Sequence, residues 1–70
     1  LLDGMSQKDA EDEAGKWIGA FKLGRDLSGR VIDLSSADLP FTGTFRRMVL
    51  QAIRAKLERR GAKEITLPPL

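Results

Sequence analysis

Apolar side chains recur at three- and four-residue intervals from Phe45 through Met48, Val49, Ala52 and Ile53 to Leu57, the spacing that gathers one face of an α-helix. The pattern predicts a helix over 44–60. Its interior holds neither Gly nor Pro, so no residue there opposes helix formation strongly. Thr42 or Thr44 can cap the first amides. Arg59 and Arg60 complement the negative end of the helix dipole, and Gly61 can take the left-handed conformation that closes a helix.

On either side the period changes. Arg30-Val31-Ile32-Asp33-Leu34 is rich in β-branched residues, and Lys63-Glu64-Ile65-Thr66-Leu67 alternates polar and apolar positions, so both are predicted strands. Pro68-Pro69 stops the second one, because proline has no amide to donate. Strand, helix and strand in that order predict two parallel strands joined by a right-handed crossover.

The N-terminal half supports two readings. Ser6 and Asp9 resemble a capping box, with Asp where Glu or Gln is usual. Beyond them Ala10, Ala14, Trp17, Ile18 and Phe21 form a helical stripe. In the second reading the helix ends near Ala14, and Trp17–Leu23 is a strand that turns back through Asp26-Leu27-Ser28-Gly29. Gly15 and Gly19, each costing a helix about 1 kcal/mol relative to Ala, keep that hairpin in play. The expected class is therefore α/β: a minimal β-α-β unit with an N-terminal helix, or a helix and β-hairpin ahead of that unit. One small domain over 1–70 is expected, with 1–5 a disordered tail or appended remnant.

Composition narrows the chemistry. The 70 residues include neither Cys nor His, which excludes disulfides, thiolate metal centres and a Ser-His-Asp triad. No apolar run approaches the roughly 20 residues that span a bilayer, and Leu1–Met5 do not open a secretory signal, so a cytoplasmic protein without membrane contact is expected. The net charge of +2 is unevenly spread: Asp3, Asp9, Glu11, Asp12 and Glu13 against Lys8 leave the first 14 residues at −4 and the rest at +6.

Candidate sites follow from these placements. Arg47 and Arg54 lie seven residues apart on one helix stripe, and Arg59, Arg60 and Lys63 cluster at its end, where they could meet nucleic-acid phosphates. Glu58 interrupts that stripe and can pair with Arg54. Thr42 and Thr44, beside Gly43, are candidate phosphorylation or anion-binding positions. Asp33 and Asp38 are the only arrangement suggesting divalent-metal chemistry, and no catalytic residue, cofactor or metal is assigned. Leu50 widens the apolar arc beside Ile53 and Leu57, beyond what a very small sheet needs to cover. With Trp17 these residues form a candidate interface to a protein partner or a second copy.

Asp33-Leu34-Ser35, Thr42-Gly43-Thr44, Arg60-Gly61 and Ile65-Thr66-Leu67 together resemble the STAS domain of anti-anti-sigma factors. The resemblance covers residues 33–67 and rests on common residue types. It implies partner binding and phosphorylation at the start of the helix, at Thr42 or Thr44. Phe41-Thr42 stands where the family has Asp-Ser, and the helix before Gly61 is longer than the family's. The sequence thus points first to a noncatalytic regulatory or scaffolding domain that binds protein, with homodimerisation one route. A nucleic-acid-binding domain and a small metal-dependent enzyme are the alternatives.

Overall fold

The computed structural model describes residues 6–70; expectations for 1–5 lie outside the described residues. Two helices and two short strands follow one another as α1 (Gln7–Phe21), β1 (Val31–Asp33), α2 (Gly43–Arg59) and β2 (Glu64–Thr66). The strands pair in parallel, with Val31 opposite Glu64, Ile32 opposite Ile65 and Asp33 opposite Thr66. The fold is mixed helix and strand. No described helix is long and apolar enough to cross a membrane.

The long helix is the form α1 takes, and its start explains why. The Ser6 hydroxyl accepts the Asp9 amide at 3.2 Å while Asp9 Oδ2 accepts the Ser6 amide at 3.1 Å, so Asp completes a capping box despite its shorter side chain. Ala10, Ala14 and Ile18 are fully buried against the rest of the chain. Gly15 and Gly19 sit on the exposed side, with open space where a Cβ would stand. Lys22 ends α1 in a left-handed conformation, φ 56°. The hairpin alternative is thereby excluded: 17–21 is helix, and Leu27 is buried while its amide bonds to the Arg60 carbonyl at 2.8 Å.

Both strands are shorter than predicted, because only three residues of each pair. Single hydrogen bonds continue the ladder beyond them, Lys63 N–H to Arg30 O at 2.8 Å and Leu34 N–H to Thr66 O at 2.7 Å. Ile32 and Ile65 turn into the core, whereas Val31, Asp33, Glu64 and Thr66 face outward. One continuous core joins these isoleucines to Leu27, Leu34, Leu39 and the buried stripe of α2. At its edge Trp17, Phe41 and Phe45 form a chain of perpendicular ring contacts, 6.2 and 5.4 Å between centroids. That geometry favours aromatic rings energetically, and it ties α1 to the start of α2.

Gly61 closes the far end of α2 with φ 95°. A Cβ there would stand 3.0 Å from Ser28 Oγ and 3.1 Å from Ser28 Cα. Only glycine therefore lets the 27–29 turn lie flat on the end of the helix.

Candidate functional site

Leu50, Ile53 and Leu57 are only 5, 1 and 0% exposed, so together they form no broad outward face, and of the three it is Leu50 that lines a surface groove. The surplus arc is covered within the chain. Ile65, Leu67 and the buried Pro68 lie across from Leu50, and the segment that follows is tied down by Arg46. That guanidinium donates to the Pro69 carbonyl at 2.8 and 3.2 Å and to the carbonyls of Leu39 and Phe41 at 3.3 Å each. The sequence reading missed Arg46. Its signal was position: it stands seven and eleven residues before Ile53 and Leu57, on the covered side of α2. An arginine there lies within reach of backbone carbonyls that need a donor. Trp17 likewise packs inside the chain, against Phe21 and Phe41.

An open groove of about 560 Å³ runs alongside Leu50. One wall is the α2 stripe Arg47, Leu50, Gln51 and Arg54, and the other is Ile65, Thr66, Leu67, Pro68 and Leu70. The floor is apolar and the rim is cationic. Among the described residues two ion pairs form, Lys8–Asp12 and Lys16–Glu13, both within α1. Among these residues neither Arg47 nor Arg54 has a carboxylate partner, and the expected Arg54–Glu58 pair is not made. Instead Arg54 Nη1 donates to the Ile65 carbonyl at 3.4 Å across the groove.

The five basic residues proposed for nucleic acid do not share one surface. Arg47 and Arg54 line the groove. Arg60 is committed to the Gly24 carbonyl at 2.6 Å. Arg59 and Lys63 are exposed where the backbone of residues 27–30 meets 60–63, and the five residues from Arg54 to Arg59 turn the helix about 140° away from the groove.

The remaining candidates resolve into local roles. Thr42 holds the cap position of α2, but its side chain makes no cap hydrogen bond. Gly43, immediately after it, has φ 62°, which removes the extended-then-helical geometry a capping hydroxyl needs. Thr42 and Thr44 are both exposed. Asp33 Oδ1 accepts the Ser35 amide at 3.0 Å, and bonding from Ser35 holds its carboxyl below the ordinary carboxylate range. Asp26 makes the equivalent turn, accepting the Ser28 hydroxyl at 2.6 Å and amide at 3.0 Å, with its carboxyl lowered for the same reason. These are loop-forming bonds. Among the described residues no three acidic side chains gather as metal ligands would.

No family model matches the chain, and neither a curated protein nor a solved structure is significantly similar to it. The STAS-like reading of 33–67 gains no support from them, and functional inference rests on the groove.

Proposed function

We propose that this chain is a noncatalytic regulatory or scaffolding domain, built on a minimal β-α-β unit, that holds a segment of a partner protein in the groove beside α2. The observation that carries this reading is the pairing of an apolar floor, Leu50, Ile65 and Leu67, with two rim arginines that no carboxylate among the described residues neutralises. A partner segment mixing apolar and acidic side chains complements both. Small-ligand sites bury most of the ligand's surface; a groove open along its length suits a chain that runs through it.

Fluorescence anisotropy with labelled peptides tests this. Acidic-apolar peptides should bind, lysine-for-glutamate versions should not, and Arg47→Glu with Arg54→Glu should invert that preference. Equal binding of both peptide charges overturns the reading. So does preferential binding of DNA or RNA at low salt, the polyanion alternative. Sedimentation across a concentration series shows whether a second copy fills the groove in place of a different protein.

A further inference from the structure

We infer that the partner segment enters as an added β-strand, pairing with the free edge of β2; this rests on the groove being the binding surface. The groove is lined by β2 and α2 but by no residue of β1, so it borders the edge of β2 that β1 leaves unpaired. The ladder identifies which groups are free there. Glu64 N–H bonds to Arg30 O at 3.4 Å, and Thr66 O accepts from Leu34 N–H at 2.7 Å. Backbone groups alternate between the two edges of a strand, so those of Ile65 and Leu67 point away from β1. Arg54 confirms the direction by donating to Ile65 O from the groove side.

That 3.4 Å contact makes Arg54 a placeholder. An incoming strand supplies an amide to Ile65 O, which frees the guanidinium for a carboxylate. Unpaired edge strands readily accept a further strand, with backbone bonds providing affinity and alternate side chains providing selectivity. The selectivity can be derived from spacing. Helix α2 rises about 1.5 Å per residue, placing Arg47 and Arg54 about 10 Å apart along its axis. Side chains i and i+4 of a strand stand about 13 Å apart, a difference that flexible arginines absorb. Leu50 lies between the two arginines. The strand that fits carries an acidic residue, an apolar residue and an acidic residue at i, i+2 and i+4 on its helix-facing side. Pro68 and Pro69 offer no amide, which limits pairing to the stretch before them.

The probe is a fluorescein-labelled seven-residue peptide in which Thr alternates with Glu, Leu and Glu, compared with versions N-methylated at every second residue. Methylation in one register should weaken binding by at least about tenfold, since it removes several amide N–H donors, and their hydrogen bonds, at once. Methylation in the other register should leave binding within about twofold, because those amides face solvent. Arg54→Ala and Arg47→Ala, both at exposed positions, should each weaken it without altering the methylation pattern. If both methylated series bind like the parent while charge reversal still abolishes binding, the strand mode is overturned and the groove reading stands. If the unmethylated peptide shows no binding at millimolar concentration, both are overturned.

Discussion

Replacing Gly61 with Ala should remove a large part of the domain's stability, and a series of glycines shows why. At φ 95° an alanine Cβ meets its own backbone, a cost of about 1–2 kcal/mol for a left-handed residue. The same Cβ comes within 3.0–3.1 Å of Ser28 Oγ and Cα. Ser28 cannot retreat freely: Leu27 N–H is bonded to Arg60 O at 2.8 Å and Gly29 N–H to Gly61 O at 3.2 Å. Overpacking against fixed neighbours adds about 1–3 kcal/mol. The total, about 2–5 kcal/mol, is a large part of the roughly 4–10 kcal/mol expected for a 70-residue domain, and should lower Tm by about 8–40 °C. Gly24 has φ 91° but open space around it, so Gly24→Ala isolates the backbone cost at about 1–2 kcal/mol. Gly15, helical and uncrowded, should gain about 1 kcal/mol as Ala. Urea unfolding followed by circular dichroism and Trp17 fluorescence gives all three values. Equal losses for Gly61→Ala and Gly24→Ala would refute the close contact between the 27–29 turn and the end of α2.

Three further outcomes follow from the same geometry. Lys22→Gly should stabilise the domain by up to about 1 kcal/mol in thermal melts, because glycine takes a left-handed cap conformation without penalty. Arg46→Ala should cost about 1–3 kcal/mol and expose the 67–70 segment to faster protease cleavage, and Arg46→Lys should not rescue it, since an ammonium cannot reproduce the planar fork. The Asp26 and Asp33 carboxyls are lowered by bonding from Ser28 and Ser35. Their contribution is therefore complete above about pH 4, the unfolded-state value, and is lost as pH falls through the lower folded-state values. Urea midpoints should decline on acidification, and the Asp26→Asn, Asp33→Asn double variant should show a shallower decline; an unchanged slope would contradict the turn bonds.

The helix over 44–60 and the strands beside it were legible because apolar spacing, Gly61 and Pro68-Pro69 all marked the same boundaries. Residues 15–23 were ambiguous because Trp17, Ile18 and Phe21 fit a helical stripe while Trp17, Gly19, Phe21 and Leu23 fit a strand. Burial of Ile18, in line with Ala10 and Ala14 on one helical face, decided for the helix. Leu50 misled for a different reason. Its excess over the needs of a small sheet was real, but Leu50 is buried within the chain, and the segment after β2 that faces it across the groove is irregular backbone, which leaves no periodic signal. Arg46, which ties that segment down, looked like one more surface charge. The groove combines a helix stripe with a strand edge, so only folding brings its two walls together.

Mapping backbone amide shifts in a ¹H–¹⁵N NMR titration with the alternating Thr/Glu/Leu peptide bears most directly on where this domain binds. Shifts confined to Arg47, Leu50, Gln51 and Arg54 on one wall and Ile65, Thr66 and Leu67 on the other are the predicted result. Shifts centred instead on Arg59 and Lys63, or on the outward Val31 and Glu64, would place recognition elsewhere and contradict it.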